Sequence, residues 1–459
     1  MATRRMYRRT RVNDVSVDQI RSLGEQHRKD NAEVGLDIAK EEIVVVVRWE
    51  SGEFESPWSV KNPLEISLLV ERLMILENTC AGLRVGMEST GTYGEAVRQA
   101  LTKANLPVYR ISGKSVSDYK EIFDGVPSQH DGKDAAIIAE LTAIEKGTPW
   151  PYQTPDETES KMRHQVDRML AFQAQIKSWN NRLEGKLAKH WPELLQVLKV
   201  RNSTLISLLH HYDSPAQLCA DPEAKNNLRR WSRGQLCKEK MDAIIESAGN
   251  TTGLPMTESD QLWLREIVDE VRSNRKQISR CQAALSTMAN NHELLQKYVQ
   301  SVGAVTLCVI LVAVGDPRNY DSSGAFLKAL GLNLKELSSG KRKGELAITK
   351  RGPSQARSVL YFWAMRGVQH RALRGWYQSF QRVGKSKAGH SEHRKIKGLV
   401  ALMRKLSRSL WFACKHDLPF QYEKVFPGEP LQKRTRRNRR HTTMDRVDLE
   451  SMIETVPPS

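Results

Sequence analysis

Residues Glu33–Ala39 read Glu-Val-Gly-Leu-Asp-Ile-Ala, a short apolar strand with a carboxylate, Asp37, set in its interior. An ionised acid in a strand core is costly unless it is paired or holds a metal. The next hundred residues narrow the fold further. Ile43–Trp49 is a β-branched run, and Phe54–Val60 reads as a third strand. Asn62–Asn78 carries Leu64, Ile66, Leu69, Leu73 and Ile75 at helical spacing. Leu83–Glu88 is a strand, Tyr93–Ala104 a helix, Pro107–Ile111 a strand, and Asp134–Glu145 a helix rich in Ala, Ile and Leu. Three strands followed by alternating helix and strand predict an α/β domain over 31–150.

That order is the one expected of an RNase H-like (RuvC-like) domain, in which the first and fourth strands are neighbours. Glu88, at the end of the fourth strand, would then share a sheet edge with Asp37. Asp131 and Asp134, in His130-Asp131-Gly132-Lys133-Asp134-Ala135, open the last helix. A spacing of three puts both on one helical face. Alone, that pair also suits simple helix capping. Four acids at these places suit Mg2+, which prefers carboxylate, water and phosphate oxygens. Two such ions ~3.5–4 Å apart can hold the attacking and leaving oxygens of a phosphoryl transfer.

The remaining chain predicts three more regions and two arms. Residues 1–30 form a basic arm with Arg4, Arg5, Arg8, Arg9 and Arg11, expected to be flexible; 427–459 form a basic tail with six Lys or Arg between Lys433 and Arg440. Residues 151–298 hold two long helices, about 155–190 and 258–298. Their seams run through Met162, Val166, Met169, Ile176, Leu183 and Leu187, and through Leu264, Val268, Val271, Ile278, Leu285 and Met288. Gln173, Asn180 and Arg275 interrupt these seams, which suit antiparallel packing or dimerisation. Residues 191–257 between them read as a helical insertion. Residues 299–426 read as a mostly helical domain.

The net charge of +18 points to a polyanionic partner, because Lys and Arg gain affinity by releasing phosphate counterions. Six scattered cysteines form no zinc knuckle or redox pair and suit a reducing cytosol. The longest apolar stretch, Val302–Gly315, is too short to span a bilayer. No membrane contact is expected, and the N-terminus has no secretory pattern. A cytoplasmic, nucleoid-associated bacterial or archaeal protein is the expectation.

These motifs resemble those of the DEDD-type transposases of the insertion-sequence family described as bridge-RNA-guided recombinases. The matches are Gly35–Lys40, Glu88–Tyr93 and Asp131–Ala135, then Phe326–Leu332, Leu337-Ser338-Ser339-Gly340-Lys341, Ile348–Gly352, Arg357 and Met403–Leu406. His130 and the Lys341-Arg342-Lys343-Gly344 segment depart from the pattern. The resemblance implies that Asp37, Glu88, Asp131 and Asp134 bind metal: Mg2+, two ions, with Mn2+ able to substitute. It makes Ser339 the nucleophile that forms a covalent phosphoserine link to DNA. It also implies a structured noncoding guide RNA, donor and target DNA, and dimers assembling into a tetramer in which acids of one subunit meet the serine of another. Lys341, Arg342, Lys343, Lys350, Arg351 and Arg357 lie near Ser339 in sequence and suit phosphate clamping. Two other readings stay open: a RuvC-like nuclease that only hydrolyses DNA, needing the acids but not Ser339, and an inert nucleic-acid-binding protein.

Overall fold

The computed structural model describes residues 9–426 except 90, 126–129, 155, 340, 341 and 383–390. The chain divides into two compact units, residues 1–155 and 156–459. The tail from 427 lies outside the described residues.

In the first unit the described residues build a seven-stranded sheet: β1 (Thr10–Arg11), β2 (Asn31–Ile38), β3 (Glu42–Trp49), β4 (Trp58–Lys61), β5 (Gly82–Glu88), β6 (Val108–Ile111) and β7 (Thr148–Pro149). Its order is β1-β4-β3-β2-β5-β6-β7. β2, β3 and β4 form an antiparallel meander, while β5 lies parallel to β2 on one side and to β6 on the other. This is the mixed order of an RNase H-like sheet, with the strands bearing Asp37 and Glu88 side by side.

The helices are α1 (Val17–Gln26), α2 (Ile66–Thr79), α3 (Glu95–Lys103), α4 (Gly113–Asp124) and α5 (Asp131–Ala143). They cover both faces of the sheet, which is why β2 and β3 read as continuous apolar runs. Val34, Leu36, Val45, Val47, Val85 and Met87 pack on one face with Leu69 and Leu73 of α2 and Val97 and Leu101 of α3. Val44 and Val46 point to the opposite face, against Ala135 and Ala136 of α5. Side chains alternate along a strand, so Gly35, Asp37, Gly86 and Glu88 belong to the α5 face.

Three details differ from the sequence expectation. The described part of the arm packs on the domain: Val12, Val15 and Ile20 are buried, and α1 opens on a capping box in which Ser16 and Gln19 satisfy each other's backbone N–H groups. The third strand is confined to Trp58–Lys61, because Phe54 makes only an isolated bridge with Arg48. Helix α4, unforeseen, fully buries only Val116, with Tyr119 and Phe123 partly covered beside it. Helix α5 opens at Asp131, and His130 caps it, its Nδ1 accepting from the Gly132 N–H at 3.1 Å.

In the second unit, α6 (Glu157–His190) and α7 (Glu258–Asn291) pair. Met162, Val166 and Met169 share a core with Cys281, Leu285 and Ala289, whereas Leu183 and Leu187 share another with Leu264, Val268 and Val271. The start of one helix therefore meets the end of the other, and the pair is antiparallel. Five short helices between Pro192 and Gly249 pack in that second core. The first core continues through α8 (Ala304–Val314), α9 (Ser323–Ala329), α10 (Ser354–Gly367), α11 (Arg371–Arg382) and α12 (Ser391–Lys415), with Phe326, Leu360, Trp363 and Leu406 at its centre. A hairpin of β8 (Leu334–Ser339) and β9 (Arg342–Ile348) interrupts the helices. Among the described residues no helix is long and apolar enough to cross a membrane.

Candidate active site

The site begins with two glycines. Gly35 and Gly86 sit opposite each other across β2 and β5. A Cβ on Gly35 would stand 1.9 Å from the Ala135 carbonyl oxygen, and one on Gly86 would stand 2.0 Å from Thr142 Oγ1. At Gly35 only bare backbone lets α5 lie directly on the sheet, and at Gly86 the missing side chain leaves room for Thr142. Two residues further along each strand, on the same face, come Asp37 and Glu88. The first turn of α5 supplies Asp131 and Asp134. A third glycine, Gly113 at the start of α4, makes room for Glu88: its Cβ would fall 2.1 Å from Glu88 Oε1.

The electrostatics bear this convergence out. Burial, followed by repulsion from Asp134, Asp131 and Glu88, pushes the Asp37 carboxyl up from 3.8 to about 6. Glu88 is also raised, by burial first and by Asp134 second. Lys120 on α4 acts in the opposite sense on both. Its Nζ lies 2.8 Å from each Asp134 oxygen. Arg9 spans Asp131, at 2.6 Å, and Glu42, at 2.9 Å. A buried ion pair between Lys133 and Asp124, 2.6 Å, ties the start of α5 to the end of α4.

The donor set is all carboxylate oxygen, with two acids raised first by burial and then by repulsion within the cluster. That chemistry fits a hard divalent cation. Among the described residues no three acid, His or Cys side chains are gathered closely enough to ligate one ion.

Ser339 belongs to the second unit, as the last residue of β8, in register with Arg342 of β9; the ladder is irregular between Leu337 and Ser339. Gly340 and Lys341 lie outside the described residues, as do the side chains of Ser339, Arg342 and Lys343. Lys350, with φ of +57°, and Arg351 are exposed. Arg357 is turned inward, its Nη1 donating to the Gly352 carbonyl at 2.6 Å. Arg404 of α12 donates to the Leu332 carbonyl at 2.9 Å. Gly331 and Gly352 touch backbone to backbone between them; a Cβ on Gly352 would sit 2.6 Å from the Gly331 nitrogen. Arg357 and Arg404 thus brace the base of the hairpin that carries Ser339.

Sequence reasoning passes over Lys120 and Gly113, names Arg9 only as part of a basic arm, and reads Arg404 only as part of a motif. Gly113 and Lys120 sit in the unforeseen α4, and Arg9 in an arm whose composition is that of a solvated tail.

Two family models match the chain. One, a DEDD-type IS110 model described as transposase, spans residues 34–192 and so includes all four acids. The other, described as the transposase IS116/IS110/IS902 family, spans residues 282–378 and includes Ser339. No curated protein matches.

Proposed function

The chain belongs to the IS110-type DEDD transposases, and on that premise we propose that it cuts and rejoins DNA strands through a phosphoserine at Ser339 under the guidance of a structured noncoding RNA. The observation that carries the catalytic reading is the gathering of four acids at one end of the sheet, where burial first and repulsion from Asp134, Asp131 and Glu88 second raise Asp37 to about 6. A structural capping pair would not repel its neighbours in this way.

Asp37, Glu88, Asp131 and Asp134 would hold divalent ions, two Mg2+ or Mn2+ in their place. Bound there, the metal stabilises charge on the phosphoryl oxygens and lowers the pKa of an attacking hydroxyl. The Ser339 hydroxyl loses its proton as Oγ bonds to phosphorus. The phosphodiester bond to one neighbouring nucleoside breaks, and the departing oxygen takes up a proton. Attack by a hydroxyl of the incoming strand reverses these changes and frees the serine. Each step exchanges one phosphodiester for another, so no external energy source is needed. Lys341, Arg342, Lys343, Lys350 and Arg351 would hold strand phosphates, while Arg357 positions the hairpin. The net charge of +18 supports a polyanion surface large enough for guide RNA as well as donor and target DNA. Assembly from dimers to a tetramer would bring the acids of one copy to the serine of another.

The test is to incubate the full chain with Mg2+, its flanking DNA and RNA transcribed from that flank, then digest and map modified peptides. A nucleotide mass on Ser339 is expected. Cleaved DNA without an adduct would favour the hydrolytic nuclease, and no metal-dependent reaction would favour an inert binding protein. Nucleic acid co-purifying with the protein should include one discrete flank-encoded RNA; random RNA alone would remove the guide from the proposal.

A further inference from the structure

Asp131 and Asp134 of α5 are both held by cations of the chain itself, but the two contacts are unequal. Arg9 bridges Asp131 and Glu42, so it keeps Glu42 if it releases Asp131. Lys120 has Asp134 as its only hydrogen-bond or ion-pair partner among the described residues. The side chains of Lys120 and Asp134 are only 19% and 22% exposed, so little water is at hand to replace that partner.

We propose that Lys120 is a resident counter-cation of the acid cluster, which yields Asp134 to an incoming divalent ion and transfers to a phosphate of the bound strand. This rests on the metal-binding reading of the acids. An ion bound to Asp134 stands ~2.0–2.1 Å from a carboxylate oxygen, where an ammonium already engages the same carboxylate. Like charges cannot share that space, and the four-carbon stem of Lys120 lets its head withdraw while α4 stays seated. A half-buried ammonium that has lost its carboxylate requires another anion. A phosphodiester held at the same metal offers one, with oxygens that accept but never donate. Lys120 would therefore couple metal loading to strand binding: metal frees the lysine, and the freed lysine binds the strand. Linkage makes the coupling reciprocal.

The experiment uses the full-length protein and Mn2+ alone, titrated by calorimetry without DNA. Lys120→Met should bind Mn2+ more tightly than wild type, by roughly three- to tenfold, because a competing positive charge has gone. Lys120→Arg, which keeps the charge, should stay near wild type. Arg9→Ala should shift affinity in the same direction but by less, since Asp131 is 56% exposed, and it carries the test if Lys120→Met does not fold. In a second measurement, the gain in affinity for a short DNA duplex on adding Mn2+ should shrink by about threefold or more in Lys120→Met. Unchanged or weaker Mn2+ binding in a folded Lys120→Met protein, or an undiminished DNA gain, overturns the proposal. Mn2+ binding that Asp37→Asn leaves intact would instead overturn the metal reading of the acids, and this inference with it.

Discussion

Asp37→Asn is expected to abolish strand cleavage and, in the same protein, to raise the stability of the metal-free fold at neutral pH. The two effects have one cause. Burial and three neighbouring acids lift the Asp37 carboxyl from 3.8 to about 6. A carboxyl raised on folding binds its proton more tightly in the native state than in the unfolded one. Its contribution to stability is complete below about 3.8 and is lost as pH rises through about 6. Above that range the native state carries an ionised acid it disfavours, at a cost of about 1–3 kcal/mol after allowance for partial exposure. Asparagine removes that cost. Thermal unfolding without metal should show Asp37→Asn melting a few degrees above wild type at pH 7.5, on the order of 2–4 °C per kcal/mol. The gap should close near pH 4, and saturating Mg2+ should narrow it from the other side by stabilising wild type. Adduct formation should fall by at least ~10³-fold. Ser339→Ala separates the two effects: it should lose the adduct and keep the wild-type dependence of stability on pH. A metal-free Asp37→Asn protein no more stable than wild type at pH 7.5 would mean that Asp37 is already compensated and that the four acids do not form one electrostatic group.

The acids were legible because each breaks a local pattern. Asp37 and Glu88 interrupt apolar strands, and Asp131 and Asp134 fall one helical turn apart ahead of an apolar run. The long helices were legible because their seams repeat over many turns, and the structure ends them at His190 and Asn291, the second several residues short of the expected 298. What escaped has physical reasons. Helix α4 fully buries a single valine, with Tyr119 and Phe123 only partly covered, so its apolar stripe is short, yet it delivers Lys120 and Gly113 to the site. The β8–β9 hairpin lies among helices and contains Arg342-Lys343-Gly344, which reads as a polar turn rather than as a strand. Arg9 belongs to a stretch whose charge hid the buried Val12, Val15 and Ile20 just beyond it. Partners that arrive from a distant segment leave no trace in local spacing; Arg9 and Asp131 are 122 residues apart.

Packing makes the two strand glycines a sharper test of the site than most of its polar residues. Gly35 and Gly86 were visible in the motifs, but their role emerges only from what lies above them. Gly35→Ala places a methyl 1.9 Å from the Ala135 carbonyl and 2.5 Å from the Ala139 nitrogen, both backbone atoms of α5. The helix must lift, and the cost should be about 3 kcal/mol or more, at the upper end of overpacking. Because the first turn of α5 carries Asp131 and Asp134, Mn2+ binding should be lost even under conditions where the variant folds. Gly86→Ala meets a side chain instead, Thr142 Oγ1 at 2.0 Å, with Ile138 no nearer than 3.2 Å. It should cost about 1–3 kcal/mol. Adding Thr142→Ala removes the obstructing oxygen together with its hydrogen bond to the Ile138 carbonyl. The double variant should then recover about 1–2 kcal/mol relative to the sum of the two single changes. No such trimming relieves Gly35→Ala, since its obstacle is main chain. Denaturant unfolding of the four variants measures both results. A Gly35→Ala protein of wild-type stability that still binds Mn2+ would show that α5 does not rest on β2 at this glycine, and the acids of helix and sheet would lose the contact that brings them together.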